Sequence, residues 1–577
     1  MINLMMKFFH RQLSTIERFL SKLPGFSNPQ KHSINFMNSA QFLGALNDNI
    51  YKFTVVFFLI KLEGAENANY ILSAAGALFV IPFLLFSSMA GILADRYSKS
   101  RLVIIIKAAE IVIMLFAILA FGLHLKWGTY ALLFLLSMQS AMFGPSKYGI
   151  IPELVSKTKV SKANGLITSF TYLAIIIGTF LAPFLTEITD YNFILVGIFC
   201  LVVAIIGFIS SFGIKYTPPV GTKKKINFFF IQQIAQTLRK CHKQSHLLLA
   251  IVGSAYFLFM GAFTQLNIIP FAMQSLGLSE LAGGYLFLAS ALGIALGAAL
   301  AGRASRRRVE LGLACIAEVL IACFLFLLSF SAGNLILSVI ALFLLGLAGG
   351  NFVVPIDTFI QLYSPESDRG HVIAAANFLS FVGVLFASLA IFLFNEILGF
   401  TAAGSFAIIG GITILFSLFM IVRLSSFFLS YTARKFLSKI IPIKAEGLEM
   451  VKKAKKPLLM IEHGSFIRAW LLCTYLPNLN ILVPQYKTRR FPWFEKVFYS
   501  IHRIDSPQKF EALVSHGKRF VEEDMIPCFY LPKKKPVPEK QTLSFQAIFS
   551  RKSFEVITVN FHKPEKGKIT HIQFSKE

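Results

Sequence analysis

The stretch GILADRYSKSR, from Gly91 to Arg101, separates two long apolar runs and decides how the chain is organised. It has the spacing Gly-x-x-x-Asp-Arg-x-x-x-x-Arg, in which the glycine allows close helix approach. The charged groups that follow the glycine are Asp95, Arg96, Lys99 and Arg101. We expect Asp95 and the cations to form a clamp that breaks and remakes as a gate. The alternative is that the cations are simply the basic residues of a loop.

The composition around this stretch is that of a membrane protein. Of 577 residues, 55% are hydrophobic and only 15% are charged, against about a quarter in soluble chains. Apolar runs of about 20 residues are long enough to cross a bilayer. They are predicted near 36–61, 69–94, 102–124, 129–151, 163–186, 192–214, 246–271, 281–303, 310–331, 334–358, 371–396 and 402–424. This pattern excludes a soluble protein.

Loop charge predicts the orientation of these spans. The net charge is +27, and loops 95–101, 215–246 and 303–308 carry many of the Lys and Arg residues. Such short basic loops stay in the cytoplasm, so both termini are expected there. The excess charge is therefore expected to face anionic headgroups, and we expect no nucleic-acid partner.

The chain also contains a weak internal repeat. A shift of 208 residues superposes Ala109-Glu110-Ile111 on Ala317-Glu318-Val319, each in the third span of its half. With the loop at Gly91, this resembles the major facilitator superfamily, whose fold is all-α, polytopic and built of twelve helices in a 6+6 arrangement. We expect a cytoplasmic segment at 1–33 and a transporter domain at 34–430.

Two stretches narrow the resemblance. QFLGALNDN, from Gln41 to Asn49, places an acid between two amides inside a span, and FGPSKYGIIPELV, from Phe143 to Val155, carries opposite charges near a helix end. Over residues 34–425 the chain resembles the bacterial lysophospholipid transporter family. That resemblance implies a flippase of the bacterial inner membrane that moves lysophospholipids for re-acylation.

Ionisable groups inside a membrane are expensive and mark a transport path by default. The expected path residues are Asp48, Asn49, Glu110, Lys147, Glu153 and Asp357. Alternatives remain open, because Lys147 with Glu153 can be a structural ion pair and Lys107 with Glu110 can neutralise each other. Glu318 has no partner nearby in sequence.

The energy source is left open. No G-x-x-x-x-G-K-[ST] run is present, so an ATP-driven pump is not expected. We expect no cofactor and no metal. Transport would follow a lipid gradient or an ion gradient.

The C-terminal part differs in pattern. A basic amphipathic linker is predicted at 431–456, and an α/β domain at 457–577. Its strands are predicted at 457–461, 480–483, 525–530 and 554–561.

This domain is similar to glycerolipid acyltransferases, whose first motif is His, four residues, Asp. His463 is present, but Arg468 occupies the Asp position, and Lys533–Lys535 follow a third motif that lacks its Glu. A cation beside His463 weakens it as a base. We therefore expect a vestigial domain that has lost acyl transfer. The alternative is a bifunctional transporter and acyltransferase.

The resemblance also implies partners. They are lysophospholipid and membrane lipids, and beyond these acyl carrier protein, an acyl carrier protein synthetase or a separate acyltransferase.

Overall fold

The structure is a computed structural model that describes part of the chain. The described residues are 29–222, 230–242, 246–305, 309–437, 443–454, 457–464, 466–476, 479–485, 500–503, 526–532, 555–562 and 570–576. They form two compact units. One comprises the chain up to Val309 together with Ala317–Ile414, and the other comprises Glu310–Ile316 with Leu415–Glu577. The division falls earlier in the chain than the predicted boundary at residue 430.

Long helices fill the membrane region. The first half contains α1 (Pro29–Glu63), α2 (Ala68–Arg96), α3 (Lys99–Gly122), α4 (Lys126–Leu154), α5 (Val160–Ile188) and α6 (Phe193–Ser211). A short helix α7 (Phe230–His242) follows. The second half contains α8 (Leu247–Leu276), α9 (Glu280–Ala304), α10 (Leu311–Phe330), α11 (Leu335–Tyr363), α12 (Arg369–Ile391) and α13 (Ala402–Arg423).

Among the described residues, eleven helices are long and apolar enough to cross a membrane. Each coincides with a predicted span. The predicted fourth span is α4, which has 29 residues but is not among the eleven. It carries Gln139, Ser140 and a polar end with Lys147 and Glu153, which lower its hydropathy. The protein is thus a multi-pass membrane protein, and twelve spans remain a prediction.

Apolar side chains occur both inside the helical bundle and on its outer surface. Inside the first half, the rings of Tyr51, Phe58, Phe121 and Phe193 pack together, with centroids 5.0–6.1 Å apart where they touch. Large apolar residues such as Phe330 and Trp127 are instead exposed, at 81% and 73%. A water-facing surface would not carry so many apolar side chains, whereas lipid accepts them.

The described residues of the second unit form a seven-stranded sheet. Its strands are β1 (Ile443–Glu446), β2 (Pro457–Gly464), β3 (Leu479–Gln485), β4 (Ser500–Arg503), β5 (Ile526–Pro532), β6 (Glu555–His562) and β7 (Thr570–Lys576). The order is β1-β7-β6-β2-β5-β3-β4, and only the β6–β7 pair is antiparallel. Buried Leu459, Ile461, Cys528 and Ile557 form part of its core.

The sheet agrees with the sequence in part. Strands occur at all four predicted positions, since β2 and β3 cover 457–461 and 480–483, and β5 and β6 overlap 525–530 and 554–561. The predicted linker differs, because Ile443–Glu446 pairs with β7 as an edge strand and Leu448–Lys453 is a helix. Residues 443–453 therefore belong to the sheet unit.

Candidate functional site

The acid of the opening motif joins the two halves. Asp95, fully buried in the last turn of α2, accepts hydrogen bonds from the backbone N–H of Gly370 at 2.7 Å and of His371 at 3.0 Å. The ring Nδ1 of His371 also lies in hydrogen-bond contact with the Asp95 carboxylate. The first N–H groups of a helix lack partners within it and carry a partial positive charge. Asp95 therefore caps α12 from the opposite half.

Close packing at this cap depends on glycine. A Cβ added to Gly91 would lie 2.7 Å from the Cβ of Ala374 and 2.8 Å from the carbonyl oxygen of Gly370. A Cβ added to Gly370 would lie 2.6 Å from the Asp95 carboxylate. Both distances are shorter than real Cβ contacts, so α2 and α12 approach each other where neither carries a side chain.

Among the described residues, Asp95 pairs with α12 and not with the loop cations of the expected clamp. Lys99 Nζ lies 2.7 Å from Glu153 Oε1 in α4, and the Arg101 guanidinium lies 4.9 Å from the centre of the Tyr216 ring. Arg96 is half-buried. The buried Lys99 takes its counter-charge from α4, and the buried Asp95 carboxylate takes its donors from the N-terminus of α12.

A second contact joins the halves through amides. Asn164 of α5 and Gln361 of α11, both fully buried, exchange two hydrogen bonds of 3.0 and 2.9 Å. Asn164 also donates to Thr358 at 3.0 Å. Next to it, a Cβ on Gly165 would lie 2.5 Å from the carbonyl oxygen of Ala298 in α9. The sequence analysis missed this contact, although an Asn-Gly pair and a Gln in apolar helices were a signal.

Both contacts lie at the same end of the bundle. We call it the basic end, meaning the end at which loops 95–101, 215–246 and 303–308 leave the helices. Asp95 and Gln361 stand in the last turn of their helices, and Asn164 and Gly370 stand in the first turns of theirs. The halves are therefore closed against each other at the basic end.

Helix α7 crosses this closure. Ser88 Oγ of α2 donates to Gln233 Oε1 of α7 at 2.9 Å. On the other side, the ring of Phe230 packs edge-on against Phe378 of α12. Helix α7 thus contacts both helices that Asp95 joins. The sequence analysis identified only a basic loop here, although the apolar positions 230, 234, 238 and 241 recur at helical spacing.

The predicted path residues divide into two groups. Asp48 is half-buried in the middle of α1, where its Oδ2 accepts from Ser140 Oγ at 2.6 Å and its Oδ1 is buried without a hydrogen-bond partner. Asp357 of α11 is also half-buried and accepts from Ser254 of α8 at 3.3 Å. Lys147 interacts electrostatically with both carboxylates. Asp48, Lys147 and Asp357 therefore form one charged group contributed by both halves.

Lys147 is otherwise surrounded by rings. Its Nζ lies 4.3 Å from the centre of the Tyr148 ring and 5.9 Å from that of Phe143, and its side chain is largely buried. Asn49, beside Asp48, donates to the backbone carbonyl of Ala45 within its own helix. Its carboxamide is thereby bonded one turn back in α1.

Two further predicted path residues have partners within the first half, and one of them, Glu110, also interacts electrostatically with Asp48. Glu153 is paired with Lys99 near the basic end. Glu110 is fully buried and accepts from Lys107 at 2.7 Å, from Asn47 at 2.9 Å and from Gln139 at 3.4 Å. This geometry matches the alternative in which Lys107 and Glu110 neutralise each other, because the pair and its hydrogen-bond partners all lie in the first half.

The residues expected to carry acyl transfer are only partly described. His463 lies near the end of β2, where Gly464 pairs with Pro532 of β5, but its side chain and that of Arg468 fall outside the described residues. So do Lys533–Lys535. Within the described part of the chain, no group of three or more His, Cys, Asp or Glu residues is placed to hold a metal ion.

These features define a class: a membrane transporter of two helical halves, closed against each other at one end, with charged groups from both halves in its interior. The sequence matches the Major Facilitator Superfamily over residues 38–388 and again over 254–495. The chain belongs to that superfamily.

Solved structures show the same fold. The human organic anion transporter MFSD10 has 15% identity and a TM-score of 0.55, covering 69% of this chain and 100% of its own. The Escherichia coli fucose:proton symporter has 13% identity and a TM-score of 0.54, covering 67% and 98%.

Curated relatives narrow the comparison. The chain is 26% identical to the lysophospholipid transporter of Klebsiella pneumoniae over 281 residues, which cover 48% of this chain and 68% of that protein. It is 27% identical to the lysophospholipid transporter of Escherichia coli O1:K1 over 345 residues, which cover 59% and 82%. The chain is thus homologous to lysophospholipid transporters.

Proposed function

We propose that the chain is a secondary transporter that flips lysophospholipids across the bacterial inner membrane. The observation that carries the proposal is the charged group of Asp48, Lys147 and Asp357 inside an apolar bundle. The headgroup of a zwitterionic lysophospholipid carries a phosphate and an amine. In this proposal Lys147 binds the phosphate. The unpartnered Oδ1 of Asp48 is a free acceptor for the amine.

The surrounding surface suits the rest of such a molecule. A lysophospholipid has one acyl chain, which can remain against apolar side chains while only the headgroup enters the polar interior. Phe143 and Tyr148 lie beside Lys147 and present apolar surface next to the charge. The homology to lysophospholipid transporters supports the same substrate class.

The closure at the basic end sets the state of the transporter. In our proposal the basic end faces the cytoplasm, as the positive-inside rule predicts, and both termini lie there. The halves are joined at that end by Asp95 and by Asn164 with Gln361. Alternating access requires these contacts to separate when the lipid is released inward. The C-terminal sheet unit is, in this proposal, a non-catalytic appendage.

The test is transport by the purified chain in proteoliposomes. Labelled lysophosphatidylethanolamine should be flipped by the wild type, and Asp48→Asn and Lys147→Gln should each abolish flipping while protein yield and stability hold. Asp190→Asn is the matched control, since Asp190 is an exposed acid in the turn after α5. Full activity in either path variant would refute the charged group as the substrate site.

A further inference from the structure

The second half contains a buried carboxyl group that has no hydrogen-bond partner among the described residues. Glu318 of α10 is 0% exposed, and neither of its carboxyl oxygens has a hydrogen-bond partner. Its counterpart under the internal shift of 208 residues is Glu110, which accepts from Lys107, Asn47 and Gln139. The two equivalent acids therefore differ in their partners: Glu110 accepts hydrogen bonds, whereas Glu318 accepts none from the described residues.

The helices around Glu318 carry no counter-charge in its reach. Among the described residues it interacts electrostatically with Tyr256 of α8. Helix α8 contains no Asp, Glu, Lys, Arg or His, and α10 contains no charged residue besides Glu318. Helix α13, which contacts α10 where Gly410 lies against Phe326, has a single charge, Arg423 in its last turn.

A carboxyl group in this position is stable only with a proton. An ionised carboxylate without a donor or a cation is strongly disfavoured in an apolar interior, and such a group neutralises instead. In the first half Glu110 does not need a proton, because Lys107 forms an ion pair with it. No cation plays that part for Glu318 in the described chain, because position 315, equivalent to Lys107, is a cysteine.

Tyr256 provides a route for the proton. Its hydroxyl is 2.6 Å from Thr413 Oγ1 of α13, and the residue is half-buried rather than closed off. Hydroxyl groups both donate and accept, so the half-buried Tyr256 can pass a proton between Glu318 and less buried surroundings once a movement of α8 brings the two side chains within hydrogen-bond distance.

Helix α8 also connects Glu318 to the proposed substrate site. Ser254, which donates to Asp357, and Tyr256 are two residues apart, so they point to nearly opposite sides of the helix. Asp357 interacts with Lys147. A movement of α8 therefore changes the surroundings of Glu318 and of the charged group together.

We propose that Glu318 is a proton-binding site that couples transport by this chain to proton movement. Glu318 binds a proton on one side of the membrane, becoming the neutral acid. When α8 moves, it releases the proton through Tyr256 to water on the other side and is left as the carboxylate until the next proton binds. The transported molecule in this inference is taken from the proposed function, but proton binding by Glu318 does not depend on it.

Two experiments test the coupling to lipid transport and the binding of the proton separately. In proteoliposomes, an imposed inward proton gradient should accelerate lysophosphatidylethanolamine flipping by the wild type. Glu318→Gln, a neutral isostere, should lose that acceleration while keeping gradient-free exchange and thermal stability. Glu110→Gln is the matched control: it leaves Lys107 unpaired, so it should lower thermal stability. Tyr256→Phe is a second variant and should slow only the gradient-driven component.

Infrared difference spectra of the detergent-purified full chain test proton binding without any cargo. The carbonyl stretch of a protonated carboxyl group should be present at neutral pH in the wild type and lose intensity in Glu318→Gln. Failure of all lipid flipping with this band intact would refute the proposed function alone. An unchanged band, or undiminished gradient acceleration in Glu318→Gln, would overturn the proton site.

Discussion

Asn164 and Gln361 exchange two side-chain hydrogen bonds across the interface between the halves, at 3.0 and 2.9 Å, with both residues fully buried. An amide pair of this kind satisfies a donor and an acceptor on each partner. When the halves separate at the basic end, all of these groups must find water or new partners. The pair is therefore a contact that favours the closed state.

Replacing one of the two amides should lower the stability of the protein more than replacing both. Asn164→Leu leaves the Gln361 amide buried and unsatisfied, which costs about 1–3 kcal/mol, whereas the double variant Asn164→Leu with Gln361→Leu should recover part of this loss. Thermal unfolding of the purified protein measures the difference in a double-mutant cycle. Strictly additive losses would show that the two amides do not act as a pair.

Gly91 should not tolerate a side chain. Gly91→Val places methyl groups against the Gly370 carbonyl and Ala374, so closure at the basic end should be disfavoured by about 1–3 kcal/mol and flipping should fall. Gly76→Val is the control on the same helix, since a Cβ there meets nothing within 4 Å. Flipping rates of the two variants at equal yield are compared. Equal rates would contradict the close approach of α2 and α12.

Asp95 should govern turnover and leave lipid affinity nearly unchanged. Asp95→Asn keeps one acceptor for α12 but removes the negative charge that favours a helix N-terminus, an effect of about 0.3–2 kcal/mol. Flipping should slow while equilibrium binding of lysolipid stays within a few-fold. Arg101→Ala, which removes a cation stacked on Tyr216, should have a smaller effect. A large loss of binding in Asp95→Asn would place it in the substrate site instead.

The C-terminal sheet unit should not catalyse acyl transfer. The purified chain, given lysophospholipid and an acyl donor, should form no diacyl product above background in thin-layer analysis, and His463→Ala should change nothing. Restoring Asp at position 468 should not create activity, because the third motif also lacks its Glu. Truncation after Leu437 should leave flipping largely intact. Diacyl product that disappears in His463→Ala would establish the bifunctional alternative.

The sequence was most informative where a single local pattern decides the outcome. Apolar runs of bilayer length predicted eleven of the helices within one or two turns, since hydropathy depends only on neighbouring residues. The motif at Gly91 predicted a close helix approach, and Gly91 does lie where α2 packs against α12, whereas the gate stays a prediction. For Lys107 and Glu110, a spacing of three residues raised an ion pair as an alternative to a path role, and the structure contains that pair.

Which groups meet across the bundle was decided by tertiary structure alone. The partners of Asp95 lie 275 and 276 residues away, and those of Asn164 lie 194 and 197 residues away. No periodicity relates such distant positions, because their approach depends on how whole helices pack. The same reason separates Glu153, which pairs with Lys99, from Lys147, which interacts with Asp48 and Asp357. The sequence by itself determined which side chains are costly to bury in this membrane protein, and only the packing of the two halves decided which of them found a partner.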